Sequence, residues 1–287
     1  MIPIDDSTNP SSEQPANRAP DELDVLQSEP ALPMQSGGSD FAHGHARSEQ
    51  WAPHRPFGFV NDDFPLDMLA QSDTDRVRII AWAQRWVVVD KPSGLLSVPG
   101  RGPEKADCVA VRVAAMFPHA TGPMVVHRLD METSGLLVFG LSRPAHKKLS
   151  NQFAQRRIGK AYEAILQGDV RGDEGEVALP IMADWPNRSR QKVCHTQGKP
   201  SLTLWRVLER LGESTRVEFR PETGRTHQLR IHAATPREQG GLGAPILGDS
   251  LYGDPSSAPR LMLHARFLAF WEPFMGDWRK FSSPVPF

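Results

Sequence analysis

The chain has 287 residues and a net charge of -1, enough length for one large or two small domains with a sizeable core. The near-neutral total conceals a division. Residues 1–50 carry nine acids against two bases, whereas the remainder holds six more bases than acids, a balance that suits a polyanionic substrate such as nucleic acid. Two cysteines, Cys108 and Cys194, exclude a disulfide framework. The ten histidines are scattered, with no CxxC or HExxH, so a structural zinc site is not expected. No apolar run approaches the ~18–20 residues needed to span a bilayer, and no basic region leads into an apolar run as in a signal peptide. A soluble, cytoplasmic protein is expected.

Residues 1–50 are rich in Ser, Pro, Gly, Gln and acids, without hydrophobic period, and are expected to be disordered. Residues 51–70 add Trp51, Phe57, Phe59 and Phe64, which leaves docking and disorder both open. We therefore expect an acidic extension over 1–72 and one folded domain over 73–287. In that domain Val77–Ile80 and Trp86–Val89 read as strands, followed by a turn cluster at Asp90-Lys91-Pro92-Ser93-Gly94. Asp107 is placed to cap a helix carrying Val109, Val113, Ala114 and Phe117 at helical spacing.

The stretch from Val125 to Phe139 comes next. Val125-Val126 and Leu136–Phe139 read as strands around Arg128, Asp130 and a Thr133-Ser134-Gly135 turn. If the segment stays extended, Arg128 and Asp130 share a side and Leu129 points into the core. An acid held at a turn between buried strands beside a base can be a nucleophile or general base, and it can equally be a structural ion pair. Ser142 and Pro144 then open a helix, which Gly159 is expected to stop. Lys160–Leu166 alternates like a strand, with Tyr162, Ala164 and Leu166 on one face. More strands are read near 176–181, 190–195, 201–209 and 215–220, with a turn at 184–188. Pro221–Gly224 leads into Arg225-Thr226-His227-Gln228-Leu229-Arg230-Ile231-His232. If that segment is helical, Arg225, Gln228, Leu229 and His232 share a side, and Arg230 lies elsewhere. A long glycine-bearing loop (234–245) and a final strand at 260–265 complete an α+β pattern with two clear helices and a mainly antiparallel sheet.

His127-Arg128-Leu129-Asp130 with Thr133-Ser134-Gly135 resembles the signature of the RluA family of pseudouridine synthases. So do Lys91-Pro92-Ser93-Gly94, Lys160-Ala161-Tyr162, Gly224–His232, Gly248-Asp249-Ser250-Leu251-Tyr252-Gly253 and Leu263-His264-Ala265. The matches fall in the family's order over roughly 77–284. The resemblance implies the pseudouridine synthase fold, with helices flanking the sheet and a central RNA-binding cleft. It also implies isomerisation of a uridine in RNA, its N–C glycosidic bond replaced by a C–C bond. Asp130 matches the family's essential aspartate, attacking either the ribose or the uracil. Tyr162 matches the tyrosine that stacks on uracil and assists proton removal, and Arg225 the arginine paired with the aspartate. Leu229 matches an apolar residue against the base, and Arg128 the residue that fills the gap when the base flips out. His127 and Thr226, inside the same motifs, are expected to touch substrate. No metal or organic cofactor is implied. Segments 94–101 and 184–194 resemble the branch that modifies both large-subunit rRNA and the tRNA anticodon stem-loop, so rRNA and tRNA stem-loops are the expected partners of a monomer without an obligate protein partner. The loop 234–245 looks longer than the family's usual connection and is expected near the RNA.

Two other classes compete. A non-catalytic RNA-binding or ribosome-assembly factor on the same fold would not need Asp130, Tyr162 and Arg225 together. A hydrolase using Asp130 as base would want a second acid or a metal cluster, and the sequence displays neither.

Overall fold

The structure, a computed structural model, describes residues 76–187 and 189–287. The expected acidic extension over 1–72, and Arg188 of the expected turn, lie outside the described residues. Eleven strands are β1 (Arg78–Ala83), β2 (Trp86–Lys91), β3 (Ser134–Gly140), β4 (Gly159–Gln167), β5 (Glu174–Ala178), β6 (Ile181–Ala183), β7 (Gln191–Val193), β8 (Leu202–Arg210), β9 (Ser214–Pro221), β10 (Leu263–Trp271) and β11 (Trp278–Ser282). Three helices are α1 (Val109–Met116), α2 (Arg143–Ala154) and α3 (Gln228–Ala234). Nine strands form one sheet in the order β1-β2-β3-β10-β4-β9-β8-β5, with β11 added to β10, and β6-β7 form a separate hairpin. Among the described strands only β3 and β10 pair in parallel, at His264–Ser134 and Ala265–Gly135; the other strand pairings are antiparallel. The expected α+β architecture is thus present.

Alternation along the strands decides which helix covers which face. Val87, Val89, Leu137 and Phe139 pack with Val109 and Val113 of α1. Trp86, Val88, Leu136 and Val138 pack with Leu149 of α2 on the opposite face. A third cluster gathers Ala164, Leu166, Val217 and Phe219 under Leu229 and Ala233 of α3. Tyr162 touches both the α1 cluster and the α3 cluster, so it stands at the seam between them.

Several local expectations change. Asp107 does not cap α1: the N-cap is Cys108, without a side-chain bond, and the Asp107 carboxylate pairs with Arg112 at 2.6 Å. Ser142 does cap α2, accepting from Ala145 N, but the helix ends at Ala154 rather than at Gly159. Arg156 takes the left-handed turn (φ 56°), and Gly159 already belongs to β4. Val125 makes only an isolated bridge to Phe139. The loop 234–245 folds back on α3 through Leu242 N to His232 O and Ala244 N to Ala233 O, which buries Leu242 and Ala244 in the α3 cluster.

Candidate active site

Asp130 opens a turn closed by Thr133 N to Asp130 O at 3.2 Å. The segment after β2 grips the backbone on both sides of it. Ser97 Oγ donates to Leu129 O at 2.7 Å and accepts from Leu129 N at 3.0 Å. Lys91 Nζ and Gly94 N both donate to Met131 O, at 2.7 and 2.9 Å, and Ser93 Oγ donates to Glu132 O at 2.6 Å. Lys91 is fully buried and also donates to Pro92 O and Leu95 O, so the three hydrogens of its ammonium meet three carbonyls. Burial pulls its pKa down to about 7, against the opposing pull of Asp130. The residues of the Lys-Pro-Ser-Gly turn thus serve to fix where Asp130 sits.

The far side of the turn is held as firmly. Gly135 has φ 118°, and a Cβ there would lie 2.4 Å from Ala265 O, so only glycine permits the parallel contact of β3 with β10. Ser134 Oγ meets His264 Nδ1 at 2.8 Å, which ties the Leu263-His264-Ala265 segment to the same turn. Glu132 accepts from Ser250 Oγ and from Arg230 Nη2 at 2.9 Å, and Arg230 binds Asp249 bidentately at 2.8 and 2.6 Å. Burial pushes the Asp249 carboxyl up, but the Arg230 bonds and charge and the Leu251 and Tyr252 N–H groups outweigh it and hold it below its ordinary value.

The carboxylate itself faces a cleft lined among others by Arg128, Tyr162, Arg225, Thr226, His227 and Leu229. Leu129 is buried while Arg128 is exposed, as the extended reading of 127–130 requires. Tyr162 reaches the cleft from β4; burial, and then the Asp130 charge, push its phenol up, so the ring is neutral at ordinary pH. Leu229 is buried on α3 and presents an apolar wall. Lys160, the first residue of the Lys160-Ala161-Tyr162 motif, also lines the cleft; burial holds its ammonium below the ordinary value, against the opposing charge of Glu222.

Three expectations are corrected by the geometry. Arg225 lines the cleft but does not pair with Asp130: its Nε donates to Pro200 O at 3.2 Å, and the ionisable neighbour at Asp130 is His227, Nε2 to Oδ1 3.9 Å. Arg225 also precedes α3 instead of sharing a helical face with Gln228, because His227 adopts a left-handed conformation and starts the helix there. His127 is not placed to touch a substrate. Its ring stacks on Phe153 of α2 at 4.4 Å, its Nε2 accepts from Val138 N, and burial, with Lys160 nearby, lowers its pKa to about 3. Finally, Arg230, set by periodicity merely on another side from Arg225, is the buried centre of the network joining Glu132 and Asp249. The signal for this was present in sequence as the acids of Met131-Glu132-Thr133 and Gly248-Asp249-Ser250, but nothing local showed which arginine they serve.

The sequence profile of the RNA pseudouridylate synthases matches residues 85–235, which includes Lys91, Asp130, Tyr162 and Arg225. A dual-specificity RNA pseudouridine synthase RluA from Pasteurella multocida is 46% identical over 213 residues, covering 73% of this chain and 93% of that protein. Its Escherichia coli K12 namesake is 45% identical over 205 residues, 70% of this chain and 90% of that one. Among solved structures, human RNA pseudouridylate synthase domain containing 1 superposes with a TM-score of 0.60 at 29% identity, over 76% of this chain and 86% of that one. Domain containing 4 gives 0.58 at 25%, over 72% and 88%. A clamped aspartate facing a tyrosine across a basic cleft, on this sheet and with these relatives, leads to one conclusion: the chain belongs to the RNA pseudouridylate synthase family, and within it to the RluA kind.

Proposed function

We propose that the cleft receives one uridine flipped out of an RNA stem-loop, and that Asp130 is the nucleophile that releases the uracil for reattachment through carbon. The observation that carries this is the clamp on Asp130, in which Leu129, Met131 and Glu132 are all tied to the segment 91–97. A carboxylate so fixed and still open to a cleft is placed for covalent chemistry rather than for packing. Tyr162 gives the base an aromatic face and stands beside the carboxylate to assist proton removal. Leu229 packs on the pyrimidine, Thr226 lines its entry, and Arg128, exposed at the rim, fills the space that the flipped base leaves. Arg225 is tied by a single bond to Pro200 O and swings to the carboxylate when RNA closes the site.

The substrates are rRNA and tRNA stem-loops. The dual specificity named for the relatives supports this, as does the likeness of segments 94–101 and 184–194 to that branch. The enzyme acts as a monomer in the cytoplasm and needs no cofactor. Pseudouridine mapping of ribosomal and transfer RNA from cells with and without the protein tests the reading. Sites in both RNA classes that vanish with the protein support it, and an unchanged map contradicts it.

A further inference from the structure

Asp130 has one polar neighbour whose geometry is unusual. His227 sits in the turn before α3 with φ 55° and ψ 18°. A left-handed backbone is uncommon outside glycine and persists where surrounding contacts hold it. Here Nδ1 lies 2.8 Å from the Tyr252 hydroxyl, and Nε2 lies 3.9 Å from Asp130 Oδ1. Tyr252 is itself fixed: its ring stands edge-on to the imidazole, and its oxygen accepts the backbone N–H of Gln191 at 2.7 Å.

A count of hydrogens favours one tautomer. The Gln191 N–H can only donate, so it occupies a lone pair of the Tyr252 oxygen. The single hydroxyl hydrogen of Tyr252 is then free to point at Nδ1, which accepts it in one tautomer, whereas the other tautomer would make the phenol oxygen take two donors and turn its own hydrogen away. A neutral imidazole that accepts at Nδ1 carries its hydrogen on Nε2, aimed at Asp130. The opposite tautomer would turn a nitrogen lone pair toward the carboxylate. Burial and the Arg230 charge favour the neutral ring, and Asp130, Asp249 and Glu132 oppose them; the balance leaves the pKa below its ordinary value.

We propose that His227 is a positioning residue for Asp130: Tyr252, itself held from β7, locks the imidazole so that its Nε2–H fixes the direction of the nucleophilic carboxylate. This rests on the reading of Asp130 as nucleophile. The 3.9 Å separation is about an ångström beyond a hydrogen bond, and catalytic contacts of this kind tighten when substrate closes a site. The relay also gives the β6-β7 hairpin a path to the carboxylate, from Gln191 through Tyr252 and His227.

The test is long-range proton–nitrogen correlation on the full-length, histidine-labelled protein, with the His227 signals assigned from the His227→Gln spectrum. The expected result at neutral pH is a protonated Nε2 and a bare Nδ1. Asp130→Asn should lower the His227 pKa further, because the charge that favours imidazolium is gone. Tyr252→Phe should mix the tautomers and lower kcat by about tenfold or more with KM little changed. His227→Gln, whose amide N–H can stand where Nε2 stood, should keep more rate than His227→Asn, which suits the left-handed backbone but ends short of Asp130. A ring protonated on Nδ1 overturns the proposal, and the wild-type spectrum decides this even if Tyr252→Phe or Asp130→Asn fails to fold, with His227→Asn serving for the assignment should His227→Gln not fold. Wild-type turnover in a folded His227→Asn enzyme, with Asp130→Asn inactive, also overturns it while leaving the nucleophile in place. Activity surviving in Asp130→Asn instead overturns the reading on which it rests.

Discussion

Two arginines in one motif have different duties, and the difference is physical. Arg230 is 2% exposed and pairs with Asp249, which is fully buried, and with Glu132. Arg230→Met leaves two carboxylates without their cation, so a loss of about 3–5 kcal/mol is expected in denaturant unfolding. Asp249 also gives the wild type a defined acid response. Its folded pKa is depressed, so its contribution is present above the ordinary carboxylate range and lost as pH falls through the lower folded value. An Arg230→Met protein as stable as wild type, with an unchanged acid response, would contradict the network. Arg225 is half-exposed and holds a single carbonyl. Arg225→Met is expected to leave stability within about 0.5 kcal/mol and to cut turnover by about 10²–10³-fold. Steady-state kinetics beside a thermal melt separates the two effects, and an equal loss of stability in both variants would show that their roles are not distinct.

At the scale of elements, the Asp130 turn depends on strands that meet from distant parts of the chain. Gly135→Ala is the sharpest probe. The positive φ alone costs about 1–3 kcal/mol in a non-glycine residue, and the added methyl collides with the Ala265 backbone in β10. The expected outcome is a clear drop in melting temperature together with lost activity; an unshifted melt would mean the strands are not so closely set. This level was only partly legible in sequence. Strong alternation and turn residues revealed β1, β2, β3 and β4, and the Ser142 cap revealed α2. The phase of α3 was not legible. Residues 228–233 are all buried, so there is no polar face from which a helical period can be read. Periodicity therefore set Arg225 beside Gln228 and Arg230 elsewhere. The left-handed His227 that begins the helix has no local sequence signal, since its conformation follows from contacts with Tyr252 and Asp130. Motif recognition named Asp130, Tyr162, Arg225 and Leu229 together, and all four line one cleft. It misjudged His127, whose neighbours Arg128 and Asp130 face the cleft while its own ring serves the α2 face.

For the whole molecule, the residues that line the cleft, from Arg128 to Leu263, all lie in the described body. The Pasteurella relative is matched over 93% of its own length by 73% of this chain. Removing residues 1–50 is accordingly expected to leave turnover on a short stem-loop within about twofold of wild type. Binding should tighten slightly at low salt, where nine acids no longer compete with phosphate for the basic body. A truncated protein that does not fold would contradict this division of the chain. In the proposed function a rigid, clamped Asp130 performs the chemistry. The most direct measurement is nucleoside analysis of a stem-loop RNA after incubation with purified Asp130→Asn, whose fold and RNA affinity are checked in parallel. The change is near-isosteric and removes only charge and nucleophilicity. No pseudouridine above background is expected, with melting temperature and affinity close to wild type; substantial pseudouridine from that variant would place the nucleophile elsewhere.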